Sequence, residues 1–288
     1  MADSERIIDT HIHIWDLENI RYGWLEGDTS ILNQTHHLNQ LENAHQEAGV
    51  TGGVLVQAEN HFEDTDWMLL NAERTDWIQG IVGWMPLMTP QQTSDALDKY
   101  MKNPYFKGVR HLIHDEKDPK WLLQSEVIES LQMLADRNIP YDVVGVLPAH
   151  IETALEVARK VPNLKMVFDH LNQPPMAKNE RFGTWGELMS EVAKNMNFYQ
   201  KISGLGTATG DWKNWSAETV KPYVSFVLEH FSVDRCFCGG DWPVSRLAGE
   251  YDRTWDVYKT LLDSLLDAQD LDKVLFSNAN NFYNLNLG

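Results

Sequence analysis

The chain has 288 residues, with 42 acidic and 24 basic side chains, so its formal charge is −18. This excess of acid, without any run of Lys or Arg, excludes binding to a nucleic-acid backbone by release of counterions. The apolar runs are strand-sized, well below the roughly 20 residues that span a bilayer. The first residues lack the basic flank and apolar run of a secretory signal. We therefore expect a cytoplasmic protein without nucleic-acid or membrane partners.

The two cysteines, Cys236 and Cys238, lie one residue apart in an apolar run. Two such residues cannot form a disulfide framework, and they are typical of reduced core residues in a cytosolic protein. The composition is 43% hydrophobic and 23% charged, as in an ordinary folded globule. The length alone allows two small domains or one large barrel.

Short apolar, β-branched runs recur along the chain, and each is followed by a polar segment with helical spacing. The predicted strands cover residues 7–15, 53–59, 79–86, 106–114, 140–146, 164–170, 198–204 and 235–241. Helices are predicted over 35–48 and 121–136, and helix caps at Asp64, Thr89 and Ser216.

Eight strands that alternate with helices predict a parallel sheet, because parallel neighbours need long crossovers. Eight such units in this length favour a closed (β/α)8 TIM barrel of class α/β, forming one domain over residues 1–288. The segment 16–34 is long for a connection between a strand and a helix, and it carries Tyr22 and Trp24. Long loops after barrel strands commonly form lids, so we expect a lid-like loop there.

Polar residues gather at the carboxyl ends of the predicted strands, where a barrel forms its active site. Period-two alternation places Ile8 and Ile12 on one face of the first strand and its polar residues on the other. The residues of this second face are Asp9, His11, His13 and Trp15. Strands 4, 6, 7 and 8 end in Arg110, His111, His114, Asp169, His170, Lys201, Ser203 and Asp241. We expect these strand ends to converge on one mouth.

His11 and His13 are roughly 6.5–7 Å apart along an extended backbone, so both imidazoles can reach one ion or one substrate oxygen. Together with His170 and Asp241 they supply the ligand types that a divalent transition metal such as zinc prefers. The same four residues also supply a general base and donors for a developing oxyanion. The residues themselves leave open whether they bind a metal ion or act without one as general base and hydrogen-bond donors.

Three motifs occur in this order along the chain. They are Asp9-Thr10-His11-Ile12-His13-Ile14-Trp15, Phe168-Asp169-His170-Leu171-Asn172-Gln173-Pro174 and Gly239-Gly240-Asp241-Trp242-Pro243. Together they resemble the amidohydrolase superfamily, and within it the amidohydrolase-related branch that contains sugar-lactone and pyrone-dicarboxylate lactonases. In the last motif, Gly240 replaces the Ser that is usual in the family.

Two-metal members of this superfamily carry a carboxylated Lys at the end of strand 4 and a His on strand 5. Here strand 4 ends in Arg110-His111, and strand 5 carries Asp142. The resemblance therefore implies one divalent metal, with zinc as the favoured ion, or metal-free operation.

The resemblance implies hydrolysis of a sugar lactone to the open-chain acid, with an aldonolactone of the fucono-, rhamnono- or galactono-type as substrate in carbohydrate metabolism. We expect Asp241 to act as the base that takes a proton from water and returns it to the leaving alkoxide. We expect His11, His13 and His170 either to ligate zinc together with Asp241 or to polarise the carbonyl as hydrogen-bond donors.

Five residues are candidates for contact with the substrate. Arg110, His111 and Lys201 could grip hydroxyls or a carboxylate, and the rings of Trp24 and Trp242 could stack on a sugar. Arg110 has the alternative of a salt bridge inside the barrel, to Asp142 or Asp169, and Lys201 has that of facing the outer layer. Arg110 and His111 have opposite parity, so one of the two should face the barrel interior.

Two other functions fit the same residues. The first is a metal-dependent decarboxylase of the same superfamily, whose carboxylate substrate would need cationic clamps. The second is a non-catalytic barrel that binds a sugar or a protein partner. For the leading function the expected partner is a small-molecule substrate, and a homo-oligomer is compatible with the sequence.

Overall fold

The computed structural model describes residues 6–178 and 180–288, and its eight strands form a parallel sheet in the order β1 to β8. The strands are β1 Ile7–Ile12, β2 Val50–Val56, β3 Ile78–Gly83, β4 Phe106–His111, β5 Tyr141–Val143, β6 Met166–Phe168, β7 Phe198–Ile202 and β8 Cys236–Cys238. A parallel bridge between Ile12 and Trp242 brings the end of β8 back to β1. The predicted (β/α)8 TIM barrel is confirmed.

Helices connect the strands along the outside of the barrel. They are α1 Ala44–Glu47, α2 Phe62–Ala72, α3 Pro90–Tyr100, α4 Ser125–Asp136, α5 Pro148–Lys160, α6 Gly183–Val192, α7 Leu205–Ala208, α8 Ala217–Phe231, α9 Tyr251–Asp263, α10 Ala268–Asp272 and α11 Asn278–Phe282. Thr89 and Ser216 are the N-caps of α3 and α8, as predicted. Among the described residues, no helix combines the length and apolar character needed to cross a bilayer.

Two helix predictions were wrong. The segment 35–48 is not one helix but a 3₁₀ turn, Leu38–Leu41, followed by the short α1. His36 forms an antiparallel bridge with Trp15, and this extended pairing delays the start of helical structure. Asp64 does not cap α2, because the cap is His61, and the Asp64 carboxylate bonds elsewhere.

The faces of β1 also differ from the simple alternation. The register between β1 and β2 is irregular between Asp9 and Ile12. Ile8 packs inside the barrel, whereas Ile12 belongs to the layer between barrel and helices. The Asp9 carboxylate accepts a hydrogen bond from Tyr251 on α9 at 2.8 Å, so it points away from the mouth. The alternation was therefore wrong for Ile8 and Asp9, because a shift of one residue exchanges the two faces of a strand.

The C-terminal segment closes the amino-terminal end of the barrel. Phe276, Phe282, Tyr283 and Leu285 pack in one cluster with the apolar side chains of the barrel interior. The strand residues of this cluster are Ile8, Val54, Val56, Val82, Val167 and Phe237. The opposite end, where the strands finish, stays free for polar groups.

The lid-like loop, residues 16–34, is held against the mouth by hydrogen bonds to the first turn of α2 and to the connection before it. The Tyr22 hydroxyl donates to Asp64 Oδ1 at 3.0 Å, and the Trp24 indole donates to the Ala58 carbonyl at 2.8 Å. Asp64 Oδ2 accepts the Ala58 amide at 2.9 Å. Asp64 is fully buried, and its two carboxylate oxygens link the loop to the segment that follows β2.

The buried Asp64 carboxyl predicts a pH dependence of stability. Burial raises its pKa to about 6, against roughly 3.9 in an unfolded chain. The folded state therefore binds this proton more tightly, and stability falls as the pH rises through the interval between the two values. From pH 5 to pH 7 we expect this carboxyl to lower the free energy of unfolding by about 1 kcal/mol.

Urea unfolding of wild type and Asp64→Asn at pH 5, 6 and 7 measures this contribution. The wild type should lose stability relative to the variant as the pH rises. Asp66→Asn is the matched control, because Asp66 lies on the same helix with its side chain 55% exposed. Equal pH slopes for wild type and Asp64→Asn would contradict the prediction.

Candidate active site

Three imidazoles and one carboxylate meet where β1, β6 and β8 end. Asp241 Oδ1 lies 3.8 Å from His11 Nε2, 3.6 Å from His13 Nε2 and 3.9 Å from His170 Nε2. The Nε2 atoms of His11 and His13 are 3.1 Å apart. The structure therefore brings together the four residues predicted from the sequence.

The hydrogen bonds around His13 decide which of its nitrogens faces this cluster. His13 Nδ1 lies 2.7 Å from the Val56 carbonyl, which can only accept, so Nδ1 carries the proton. The lone pair of a neutral His13 is then on Nε2, directed at His11 and Asp241. Burial lowers the pKa of His13, and lowers that of His11 well below its ordinary value, so both rings are held in the neutral form. Neutral imidazole is the form that binds metal.

The donor set fits one divalent metal ion. His11, His170 and Asp241 each offer a ligand atom within 4.8 Å of the others, and His13 Nε2 adds a fourth. Zinc–nitrogen bonds of about 2.0–2.1 Å in tetrahedral geometry separate ligand atoms by about 3.3 Å, close to the observed spacings. Asp241 Oδ1 is buried without a hydrogen-bond partner among the described residues. A cation is the group that would satisfy it.

Left-handed backbone places two of these side chains. His170 begins a run of four residues whose φ angles lie between 51° and 54°, and Asp241 has φ 58°. Such values are costly for residues other than glycine and cluster at functional sites. Gly204 completes the packing, since a Cβ there would lie 2.6 Å from His170 Nδ1.

Ser203 orients the His170 ring. Its Oγ accepts the His170 backbone amide at 3.2 Å and lies 2.9 Å from His170 Nδ1. Ser203 is fully buried at the end of β7, so the ring is held with Nε2 toward Asp241. Partners of this kind fix the orientation of metal-binding histidines.

Arg110 forms an internal salt bridge. Its Nη1 donates to Asp169 Oδ2 at 2.9 Å, and its Nε donates to Gln57 Oε1 at 3.2 Å. Nη1 also lies 3.2 Å from His11 Nε2, and the guanidinium contacts the Gln57 carbonyl. Of the two predicted roles, the salt bridge to Asp169 is present, and Arg110 also lines the cavity beside the cluster.

Lys201 lies below the imidazoles, inside the barrel. Its Nζ is 2.7 Å from Asp142 Oδ2 and 2.8 Å from Asp169 Oδ1, and the side chain is fully buried. Burial raises the pKa of the Asp142 carboxyl to about 6 despite Lys201. Burial acts on Asp169 in the same sense, but Lys201, His11 and Arg110 outweigh it and hold its pKa well below the ordinary value.

Two predictions for Lys201 therefore need correction. It does not face the outer layer, and it is not among the residues that line the cavity. Together with Arg110 it neutralises Asp142 and Asp169, and the Tyr283 hydroxyl donates to Asp142 Oδ2 at 2.7 Å. Its position is that of a structural cation rather than a substrate clamp.

His111 points away from the site, so Arg110 is the member of this pair that faces inward. The Trp84 indole donates to His111 Nδ1 at 3.0 Å, which leaves the proton on Nε2 to donate to Glu116 Oε1 at 2.8 Å. The ring stacks on Trp121 with centroids 4.0 Å apart. This position does not support the predicted contact of His111 with substrate.

A cavity of about 260 Å³ opens above the cluster, and we call it the catalytic cavity. Its polar lining is His13, Arg110, His114, Asp115, His170, Gln173, Thr207 and Asp241. Trp15 and Trp24 form part of its wall. Trp242 is 3% exposed and is absent from that lining, so its position does not support the predicted stacking on substrate.

Sequence reasoning missed several supporting residues. Gln57 follows β2 and holds Arg110, and Tyr251 on α9 holds Asp9. Asp9 Oδ1 in turn accepts the Gly240 amide at 2.7 Å, one residue before Asp241. A Cβ at Gly240 would lie 2.5 Å from Asp9 Oδ2, which explains why a glycine stands there. No local pattern links these distant positions.

A (β/α)8 barrel with three imidazoles and a carboxylate at its carboxyl end defines a class of enzyme sites that use a metal ion or fixed donors to polarise a substrate. An amidohydrolase family model matches residues 8–285, and the chain belongs to this family, which confirms the resemblance found in the motifs.

Two lactonases and one solved structure are similar to the chain over nearly its whole length. The L-fucono-1,5-lactonase of Burkholderia ambifaria is 30% identical over 281 residues, covering 96% of this chain and 95% of that protein. The L-rhamnono-gamma-lactonase of Scheffersomyces stipitis is 26% identical, covering 97% and 99%. The crystal structure of an amidohydrolase from Burkholderia multivorans with bound zinc has a TM-score of 0.89 at 23% identity, covering 96% and 99%.

Proposed function

We propose that this protein hydrolyses a sugar lactone to the open-chain hydroxy acid. The observation that carries the proposal is the convergence of three imidazole nitrogens on Asp241 Oδ1 at the base of a monosaccharide-sized cavity; this oxygen has no hydrogen-bond partner among the described residues. The relatives named as fucono- and rhamnono-lactonases support an aldonolactone as the substrate. Trp15 and Trp24 offer aromatic wall to the C–H faces of a sugar ring.

Asp241 is the general base in this proposal. Its carboxylate takes a proton from a water molecule as the water oxygen attacks the lactone carbonyl carbon. The tetrahedral intermediate then breaks the ring C–O bond, and Asp241 returns the proton to the leaving alkoxide. Water is thereby added across one acyl–oxygen bond, and nothing else is consumed.

Arg110 stabilises charge on the carbonyl oxygen. Arg110 lines the cavity and is held rigidly by Asp169 and Gln57, so its N–H groups need no reorganisation during the reaction. We propose that Nε2 of His11, His13 and His170 and Oδ1 of Asp241 would hold one zinc ion. When bound, it would supply Lewis-acid polarisation of the lactone carbonyl.

The site offers less to a decarboxylase. Among the described residues that line the catalytic cavity, Arg110 is the one permanent cation, and Asp169 already neutralises it. Apart from a bound zinc ion, a carboxylate substrate would therefore find little uncompensated positive charge in the cavity. A neutral lactone needs none.

A panel of L-fucono-1,5-lactone, L-rhamnono-1,4-lactone and D-galactono-1,4-lactone tests the proposal, with acid release followed by a pH indicator. We expect hydrolysis of at least one lactone and about one zinc per chain. We also expect activity to be lost on chelation and restored by zinc. If the enzyme releases no acid from any lactone, or instead releases carbon dioxide from dihydroxybenzoates, the proposal is wrong. Activity that survives complete metal removal would overturn the proposed role of zinc.

A further inference from the structure

A second cavity, of about 370 Å³, lies beside the catalytic one. It is bounded by the loop after β5 and by the turn that carries His170. Val146 and Gln173 line both cavities. The consecutive residues Thr207 and Ala208 line one cavity each. The two cavities therefore lie side by side, within the length of one extended substrate.

The walls of the second cavity carry uncovered apolar surface. Val146 is 43% exposed and Leu147 is 49% exposed, which is high for aliphatic residues at the mouth of a barrel. Pro174, Pro175 and Trp185 continue this wall. Such surface suits the C–H faces of a ligand.

A buried amide without hydrogen-bond partners lies in the wall of the second cavity. Asn172 lines it and is 2% exposed, yet neither Oδ1 nor Nδ2 has a hydrogen-bond partner among the described residues. Gly145 makes room for this side chain, since a Cβ there would lie 2.2 Å from Asn172 Oδ1. One acceptor and one donor side by side complement two adjacent hydroxyl groups, each of which can donate and accept.

The charge at the second cavity is balanced. Lys178 and Glu180 line it with one charge of each sign. A neutral occupant fits this arrangement better than a phosphate or a carboxylate.

We propose that the second cavity is a sugar subsite, which takes a neutral glycosyl unit attached to a hydroxyl of the lactone. The substrate class then includes disaccharide lactones, in which the added sugar presents adjacent hydroxyls to Asn172 and its C–H face to Val146 and Leu147. The glycosidic bond is untouched, because water adds across the lactone acyl–oxygen bond alone. This inference rests on the proposed lactone hydrolysis.

Matched substrates test the subsite. Hydrolysis of D-glucono-1,5-lactone is compared with that of cellobiono-1,5-lactone and maltobiono-1,5-lactone, which carry the same ring with a further glucosyl unit. Each rate is corrected for spontaneous hydrolysis. We expect kcat/KM to be at least about tenfold higher for one disaccharide lactone, mainly through a lower KM.

Two variants and one control locate the effect. Asn172→Gly removes the amide and tolerates the φ of 51° at this position, and Leu147→Ser removes apolar wall. Each should bring the ratio of disaccharide to monosaccharide kcat/KM toward one. Leu70→Ser should keep the wild-type ratio, because Leu70 is 37% exposed on α2, outside the second cavity.

The outcomes separate this inference from the proposed function. If the enzyme hydrolyses monosaccharide lactones but gains nothing from the second sugar, the subsite is wrong and the lactonase proposal stands. A disaccharide preference that survives both variants would also overturn it. If the enzyme hydrolyses the first panel of lactones but neither disaccharide lactone, the subsite is wrong and the lactonase proposal stands. If it hydrolyses no lactone of either panel, the proposed function and the subsite both fail.

Discussion

The Asp241→Asn variant is expected to lose roughly 100- to 10,000-fold in kcat for lactone hydrolysis, the range that a positioned general base contributes. Asparagine has the same shape and tolerates the left-handed φ of 58° at this position, so the fold should be retained. It cannot take a proton from water, and its amide is a poor metal ligand. We therefore also expect zinc to bind more weakly. Steady-state kinetics with metal analysis of the purified variant measures both effects.

Asp115→Asn is the matched control for this variant. Asp115 also lines the catalytic cavity, but its side chain is 51% exposed and pairs with His114 rather than with the three imidazoles. We expect its kcat to stay within a few-fold of wild type. Full activity in Asp241→Asn would remove Asp241 from the role of base, whatever the control shows.

Lys201→Met is expected to lower the free energy of unfolding by about 3–5 kcal/mol, the cost of breaking a buried ion pair by removing one partner. Met has nearly the length of Lys but leaves Asp142 and Asp169 facing each other in a fully buried site. The remaining cation, Arg110, reaches Asp169 alone. Urea unfolding followed by tryptophan fluorescence measures the loss.

Lys194→Met provides the comparison for this loss. Lys194 pairs with Glu191 on the protein surface, where its side chain is 71% exposed, and we expect little change in stability. The double variant Lys201→Met/Asp142→Asn should recover part of the loss, because it removes one of the stranded charges. This double variant also keeps the prediction testable if the single variant does not fold. A Lys201→Met protein as stable as wild type would contradict the assigned role.

The strands and the four site residues could be predicted because their signals are local. A β-branched run marks a strand wherever the strand ends up, and the carboxyl ends of parallel strands meet at one edge. His11, His13, His170 and Asp241 could thus be placed together without knowledge of a single contact. The loop over 16–34 was predicted in the same way, from its length and aromatic content.

The roles of the other polar residues could not be derived in this way. Lys201 at a strand end looks the same in sequence whether it binds substrate or neutralises two buried acids. That choice depends on Asp142 and Asp169, which come from other strands. The direction of the Ile8 side chain, into the barrel, depends on the register of β1 with β2, and register is a property of a pair of strands.

The length, composition and charge of −18 excluded polyanionic partners but named no substrate. The sequence by itself determined the eight-unit barrel and the four residues at its mouth, because periodicity and strand ends are encoded by neighbours in the chain. The tertiary structure decided which cations form ion pairs inside the barrel, how Ser203 orients the His170 ring, and where a second cavity adjoins the first. These contacts join residues that are far apart in sequence, and a local sequence pattern does not specify the distance between such residues.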